Sequence, residues 1–245
     1  NRNVTIRAVT GFAGGYTTFN LATGAIEETA AEGSGAVATD NGDGSWTCED
    51  KKWRTSILVS GLITFIAAVH YWYMRDYWAD FGESPTFFRY VDWILTVPLM
   101  CVEFYLILKA AGAKKTLMWR MIALSVIMLV TGYIGETIQR DMASFWGFIS
   151  GAAYFVIVYD IWFGKAKKLA ISAGGSILSA HKTLCWFVLV GWAIYPIGYM
   201  AGTPGWYSGV FGGLDLDVIY NIGDAINKIG FGLVIYGLAV SKSEE

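Results

Sequence analysis

The stretch VIYNIGDAINKIGFGLVIYGLAV, residues 218–240, decides the fold of this chain. At ~1.5 Å per residue an apolar helix of this length crosses a bilayer core of ~30 Å. Lys228 stands near its middle, where an ionisable side chain is costly and usually marks a functional site with a partner nearby. Asp224 lies four residues earlier on the same helical face and is the candidate partner. The stretch therefore predicts a membrane-spanning helix that carries an ion pair.

Two interpretations of Lys228 are open. A lysine close to a helix end can extend its charge to the membrane surface, but roughly ten residues flank Lys228 on either side. A desolvated lysine amine is also the group that Schiff-base chemistry uses. We interpret Lys228 as a chemical site.

Composition places the whole chain in a membrane. Its 245 residues are 55% hydrophobic and 16% charged, with a mean hydropathy of +0.45, values typical of membrane proteins. The connections between its apolar segments are mostly short, which predicts antiparallel packing in one bundle. Six segments qualify as spans: residues 56–73, 87–110, 117–138, 145–163, 183–201 and 218–240.

Basic residues orient the spans, because loops rich in lysine and arginine stay in the cytoplasm. The opposite loops hold little beyond Arg75, Arg89 and Arg140. The C-terminus is therefore predicted inside, and residues 87–110 and 218–240 run inward. The basic set is Lys51, Lys52, Arg54, Lys109, Lys114, Lys115, Arg120, Lys165, Lys167, Lys168, Lys182 and Lys242.

Residues 1–50 form an atypical polar N-terminal segment, whereas residues 51–245 form the transmembrane domain. Acidic residues interrupt the only weakly apolar part of the segment, and DNGDG at 40–44 predicts a turn. This composition predicts a loop-rich or partly disordered segment. It lacks the apolar core of a signal peptide. With a net charge of −2 and no basic, aromatic-rich surface, we predict no nucleic-acid partner, and we assign no metal ligands.

The second span carries three polar residues on one stripe. Asp92, Thr96 and Glu103 are four and seven residues apart, and ~16 Å separates Asp92 from Glu103 along a helix. Cationic groups at Arg89 and Lys228 favour an ionised Asp92, whereas Glu103 lacks a cationic partner and we expect it to be protonated. The alternative is a set of neutralised polar groups between helices. The full set favours a proton path over that alternative.

His70, in the first span, has two interpretations as well. A lone histidine in a membrane helix is often a hydrogen-bonded packing residue. A carboxylate partner would make it a group that tunes proton affinity.

Three motifs carry a resemblance to a known family. They are RYVDWILTVP at 89–98 with Glu103, GWAIYPIGY at 191–199 and YNIGDAINKIGFG at 220–232. With them the chain resembles the microbial rhodopsins, most closely the proteorhodopsin and xanthorhodopsin group of light-driven proton pumps. The resemblance runs from about Lys52 to the C-terminus.

The resemblance implies an all-α bundle of seven transmembrane helices around all-trans retinal, bound as a Schiff base on Lys228. Asp92 is similar to the counterion and proton acceptor, Asp224 to the second counterion, and Glu103 to the cytoplasmic proton donor. Thr96 completes the Asp-Thr-Glu motif of proton pumps.

The remaining site residues also follow from the resemblance. His70 corresponds to the histidine that contacts the acceptor carboxylate, and Arg89 to the arginine that gates the extracellular side. Met100 occupies the spectral-tuning position, where an apolar residue implies green absorption. Gly147 resembles the glycine that opens a window for a carotenoid antenna, although it is open to interpretation as a packing contact. The implied retinal-binding set is Trp93, Met100, Met128, Gly132, Trp192, Tyr195, Pro196, Tyr199 and, beside the antenna, Gly147.

The chain departs from the family in two places. The first helix of the family is expected before Lys51, and nothing in residues 1–50 resembles it, so this segment replaces or contains that helix. The extracellular glutamate pair of proton release is absent, and Asp215 and Asp217 do not align with it.

We therefore predict a light-driven outward proton pump, not an enzyme, in a bacterial inner membrane. The resemblance implies a homo-oligomer, a pentamer or hexamer, within the lipid bilayer. The main alternative is a retinal photosensor that signals through a membrane partner, which Glu103 argues against. A chloride or sodium pump fits the Asp-Thr-Glu set less well, and a scaffold without retinal is the third class.

Overall fold

Six helical spans, some built from more than one helix, form the membrane part of the described chain. The computed structural model describes residues 3–8, 15–20, 26–30, 36–40, 46–50 and 53–241, with side chains for 53–240. The helices are α1 Arg54–Phe81, α2 Thr86–Leu108, α3 Lys115–Tyr133, α4 Ala143–Trp162, α5 Lys165–Ala173, α6 Gly175–Trp186, α7 Ile194–Gly202, α8 Ser208–Phe211 and α9 Leu216–Ser241. Among the described residues, six helical segments are long and apolar enough to cross a membrane. The six predicted spans are confirmed.

The helices pack as an antiparallel bundle in which each span lies beside the next. α2 lies between α1 and α3, α3 packs on α4, and α9 contacts α1, α6 and α7. We call the end that holds the starts of α2 and α9 the outer end, and the opposite end the inner end, after the orientation predicted from the basic residues. A lipid-facing bundle exposes apolar side chains, and α1, α4 and α9 do so along the faces that point away from the core.

Short strands occupy residues 1–50, where the composition predicted loops. β1 Asn3–Ala8, β2 Gly15–Asn20 and β3 Ile26–Ala30 pair antiparallel, and β4 Ala36–Asp40 pairs with β5 Trp46–Asp50. The prediction of loops is wrong for these strands. NVTIRA in β1 alternates apolar and polar residues with the period of a strand, a local signal that the glycine-rich composition of the segment obscures. Of the turn predicted at residues 40–44, only Asp40 is among the described residues.

Two helix irregularities place residues of the candidate site. The span that begins with α6 changes to a π-helix at Phe187–Gly191 before α7 begins. Asn227 of α9 donates a hydrogen bond to the carbonyl of Gly191 at 3.0 Å, so a side chain satisfies the backbone at the break. Pro196 follows in the first turn of α7, where its missing N–H costs nothing. A second π-helix, Ile134–Ile138, continues α3 and carries Glu136.

Candidate functional site

Lys228 lies in a buried ion-pair cluster at the centre of the bundle. Its Nζ donates a hydrogen bond to Asp92 Oδ2 and lies 3.3 Å from Asp224 Oδ2. The three side chains are at most 3% exposed. Burying charges is costly unless each one is paired and hydrogen-bonded. The ion pair of Lys228 with Asp92 therefore holds α2 and α9 together at this point. The structure thus brings the two predicted counterions to the same amine.

The two carboxylates differ in how completely they are hydrogen-bonded. Asp224 accepts hydrogen bonds from Tyr71 Oη at 2.6 Å, Tyr195 Oη at 2.7 Å and Trp93 Nε1 at 3.0 Å. Asp92 Oδ1 has no hydrogen-bond partner among the described residues. An ionised carboxylate has lone pairs on both oxygens. Asp92 therefore keeps an open acceptor position beside Lys228, whereas Asp224 is saturated.

Thr96 and His70 make their hydrogen bonds to backbone. Thr96 Oγ1 donates to the carbonyl of Asp92 at 2.9 Å, one turn earlier on α2. His70 Nδ1 bonds with the carbonyl of Ile66 at 2.8 Å, and its ring packs on Tyr73 at 5.2 Å. The hydrogen bonds described for His70 do not include Asp92. The expected contact between the histidine and the acceptor carboxylate stays a prediction.

Glu103 lies in the inner half of the bundle in apolar surroundings. Its side chain is fully buried, as are its neighbours Met100, Cys101 and Phe104. Ser60 of α1 donates a hydrogen bond to Glu103 Oε1 at 3.0 Å, and the described ion pairs do not include Glu103. Burial without a cation disfavours the charged form of a carboxyl group. The position suits a group that stores a proton.

Arg89 lies at the outer end and is paired with a residue for which the sequence predicted no role. Its Nη2 donates to Asp217 Oδ1 at 2.8 Å and its Nη1 to Ser84 Oγ at 3.1 Å. The guanidinium carbon lies 5.0 Å from the centre of the Tyr220 ring. Asp217 precedes Asp224 by seven residues, or two helical turns, and this spacing places it on the site-facing side of α9.

Glu136 is a buried carboxyl group that sequence reasoning missed. It is 3% exposed and accepts hydrogen bonds from Tyr90 Oη at 2.8 Å and Tyr220 Oη at 3.4 Å. Tyr220 also packs on Arg89. The signal that reveals Glu136 is an acidic residue in an otherwise apolar span, which normally marks a functional or paired group.

A cavity of about 380 Å³ lies next to the ion-pair cluster. Its walls include eight of the nine predicted retinal-binding residues: Trp93, Met128, Gly132, Gly147, Trp192, Tyr195, Pro196 and Tyr199. Met100 is 1% exposed but does not line this cavity. Lys228 does not line it either, but Trp93 and Tyr195 line the cavity and donate hydrogen bonds to Asp224, which lies beside Lys228. The cavity suits an elongated apolar ligand that approaches the ion-pair cluster at the end lined by Trp93 and Tyr195.

The cavity opens to the lateral surface of the bundle beside Gly147. A Cβ atom at this position would lie 2.8 Å from Tyr199 Cε1, closer than packed atoms approach. Phe148 and Trp206, which are 76% and 88% exposed, line the same cavity. A larger residue at 147 therefore requires Tyr199 to move, and glycine keeps this side open.

Comparisons with known proteins point to one family. Residues 44–242 match the family model described as bacteriorhodopsin-like protein. A green-light absorbing proteorhodopsin from a gamma-proteobacterium, EBAC31A08, is 46% identical over 196 residues, which are 78% of this chain and 76% of that protein. A solved blue light-absorbing proteorhodopsin from Med12 is 40% identical, with a TM-score of 0.65 over 78% of this chain and 85% of its own. Xanthorhodopsin, a light-driven ion pump with dual chromophore, is 29% identical with a TM-score of 0.66 over 79% and 83%.

Proposed function

The chain belongs to the bacteriorhodopsin-like family, and we propose from this premise that it is a light-driven outward proton pump. The observation that carries the proposal is the contrast between Asp92 and Glu103 on α2. The first touches Lys228 and has an open acceptor oxygen, and the second is buried among apolar side chains. Eleven residues separate them, or ~16 Å along the helix.

The residues present fit retinal as the chromophore. The cavity has aromatic and apolar walls, and Trp192, which lines it, has a buried Nε1 without a described partner; Asp92 Oδ1 in the ion-pair cluster is likewise buried without a described partner. Lys228 would hold the aldehyde carbon of all-trans retinal as a Schiff base, with Asp92 and Asp224 as counterions. Bound retinal supplies light absorption and an isomerisation that lowers the proton affinity of the Lys228 nitrogen.

The side chains of the protein then move the proton in one direction. Asp92 accepts it from Lys228 Nζ, because Asp92 is in direct contact and Asp224 is already saturated by three donors. Glu103 supplies the replacement proton from the inner half. Arg89 and Asp217 mark the outer end, through which Asp92 loses its proton. Because a proton is released at the outer end and another is taken up from the inner end, each cycle moves one proton outward across the membrane.

A photosensor would use the same amine and counterions. The buried Glu103 favours the pump, because a carboxyl donor shortens the cycle by returning a proton to the nitrogen, and general acids contribute roughly 10²–10⁴-fold to such transfers. No described feature of the bundle favours the sensor over the pump.

Illumination of pigmented cells tests the proposal. Cells that express the protein with all-trans retinal should acidify an unbuffered medium in light, and a protonophore should abolish the change. The Lys228→Ala variant is the control and should give neither pigment nor acidification. A pigmented sample that leaves the medium unchanged or makes it alkaline contradicts outward pumping, and hydroxylamine bleaching in light checks the Schiff base separately.

The opening beside Gly147 supports a second chromophore. We propose that a carotenoid lies there against Tyr199 and passes excitation to retinal. Carotenoid added to the pigment should contribute to the excitation spectrum, and Gly147→Trp should abolish that contribution while the retinal pigment still forms. An unchanged carotenoid contribution in Gly147→Trp contradicts this placement.

The setting of the pump is proposed on the same basis. We place it in a bacterial inner membrane as a homo-oligomer, a pentamer or hexamer, with the C-terminus in the cytoplasm and green absorption from an apolar Met100. Protease cleavage of the C-terminal tail in inside-out but not in right-side-out vesicles checks the orientation, and native mass spectrometry checks the subunit number.

A further inference from the structure

Arg89 is buried, but its partner reaches the outer surface. The guanidinium has 2% of its surface exposed, whereas the side chain of Asp217 is 23% exposed and lies at the start of α9. Ser84 donates to the same Asp217 oxygen at 2.7 Å and accepts from Arg89 at 3.1 Å. A buried arginine requires a carboxylate with matching geometry. Asp217 and Ser84 supply that partner at the outer surface.

The charges around Lys228 explain why it matters that Arg89 pairs with Asp217. Asp92 and Asp224 share the single cation of Lys228, because the described ion pairs of the cluster do not include Arg89. Arg89 is nevertheless only three residues from Asp92 on α2, within one helical turn. A guanidinium that turned inward would stabilise the ionised form of Asp92.

We propose that Asp217 is a positioning residue, which holds Arg89 at the outer end and so keeps Asp92 able to bind a proton. The inference rests on the proposed pump, in which Asp92 is the acceptor. Asp217 does not touch Lys228; it acts through Arg89 alone. When Asp217 loses its charge, the carboxylates left around the guanidinium are Glu136, which it faces, and Asp92 and Asp224 of the ion-pair cluster, with Asp92 one helical turn away on the same helix.

Several other groups face Asp92. They are Lys228 and Asp224 from α9 and His70 and Tyr73 from α1. Tyr71 of α1 faces Asp92, Asp224 and Arg89 together.

Arg89 itself also faces Tyr220 of α9 and Glu136 of the π-helix after α3. None of these groups, Arg89 apart, has Asp217 as a described hydrogen-bond or ion-pair partner. A change at Asp217 therefore reaches Asp92 through Arg89.

The test is a titration of the visible absorption band of the retinal-loaded protein in the dark, which reports protonation beside the chromophore. Asp217→Asn keeps the size and hydrogen-bonding oxygen of the residue but removes its charge. The midpoint of the spectral transition should fall by about one pH unit, a tenfold change in proton affinity. Ser84→Ala, which removes one contact from each partner, should shift it in the same direction by less.

Three controls separate the inference from a general charge effect. Glu83→Gln removes the same charge from an exposed residue at the same end and should leave the midpoint nearly unchanged, because exposed charges are screened within ~10 Å. Asp217→Glu keeps the anchor and should retain the wild-type midpoint. In an Arg89→Gln background, Asp217→Asn should add no further shift.

The outcomes are distinct from those of the proposed function. An equal shift from Glu83→Gln, or a shift that persists without Arg89, overturns the role of Asp217 while the pigment and the pump stand. A wild-type midpoint in both Asp217→Asn and Ser84→Ala overturns it as well. A wild-type protein that forms no pigment overturns the pump and this inference together.

Discussion

The two halves of the bundle on either side of Lys228 differ in polarity. The outer half holds a connected set of charged and hydroxyl groups, in which Tyr220 touches both Arg89 and Glu136 and Asp217 continues to the surface. The inner half holds Glu103, with Ser60 as its described hydrogen-bond partner, among fully buried apolar side chains. The same bundle therefore offers a connected polar route on one side and a mostly apolar compartment on the other.

In the proposed pump, this difference would give proton movement its direction. Hydrogen-bonded polar groups can pass a proton along, whereas a single carboxyl group in apolar surroundings retains its proton until a stronger base lies within reach. In the proposed pump, a proton that leaves Lys228 would find acceptors toward the outer end, and Glu103 in the inner half would supply the replacement. Substitutions in each half test this asymmetry.

Removal of the acceptor should have the largest effect. Asp92→Asn leaves Lys228 without the carboxylate that it contacts, and an amide cannot take up the proton. Light-driven acidification by the retinal-loaded protein should fall below detection. Asp76→Asn is the matched control, because this exposed residue pairs with Arg75 at the surface, and it should pump as the wild type does. Sustained pumping by Asp92→Asn would show that the outer route begins elsewhere.

Removal of the inner store should slow the cycle without blocking the outer half. In Glu103→Gln, return of a proton to the Lys228 nitrogen should be about 10²-fold slower, the lower part of the range for a lost general acid. Flash spectroscopy measures this step directly. Asp160→Asn changes another carboxyl group near the inner end, one that pairs with Arg120, and should leave the rate unchanged. Equal rates in wild type and Glu103→Gln would remove Glu103 from the path.

Within single helices, the sequence was sufficient to relate the polar residues of the inner half and of the centre of the site. Lys228 and Asp224 are one helical turn apart, and Asp92 and Glu103 lie on one stripe of α2, so local periodicity alone relates them. The six spans followed from apolar length. Each of these features is contained within a single helix.

The outer half depends on contacts between helices, which periodicity does not specify. Glu136 meets Tyr90 from α2 and Tyr220 from α9 through a π-helix that the sequence did not reveal. Asp217 does not align with the release groups of the family, and its pairing with Arg89 joins two helices far apart in the chain. The strands in residues 1–50 were not predicted for a different reason. Their alternation of apolar and polar residues is short, and the glycine-rich composition of the segment outweighs it.

Loss of one hydroxyl from the outer network should cost stability. Tyr90→Phe removes the shorter hydrogen bond to Glu136 and leaves the 3.4 Å contact with Tyr220. A buried acceptor deprived of a donor costs about 1–3 kcal/mol of unfolding free energy, measurable by unfolding in a denaturing detergent. Tyr159→Phe, at a side chain that is 59% exposed, should change it by less than about 0.5 kcal/mol. Equal losses of unfolding free energy in Tyr90→Phe and Tyr159→Phe would show that the hydrogen bond from Tyr90 to Glu136 does not stabilise the fold.

The smallest effect is expected from the hydrogen bond that Ser60 donates to Glu103 in the inner half. Ser60 donates to Glu103 Oε1 at 3.0 Å, an interaction that stabilises the carboxylate formed when Glu103 gives up its proton. A net hydrogen bond of about 1 kcal/mol corresponds to roughly fivefold in an equilibrium, so Ser60→Ala should slow proton return to the Lys228 nitrogen by at most about that factor. Thr64→Val is the control, because Thr64 bonds to backbone carbonyls of its own helix. If Ser60→Ala slowed proton return as much as Glu103→Gln does, the inner half would hold its proton through a hydrogen-bonded network rather than on a single carboxyl group. The two halves would then not differ in the way described above.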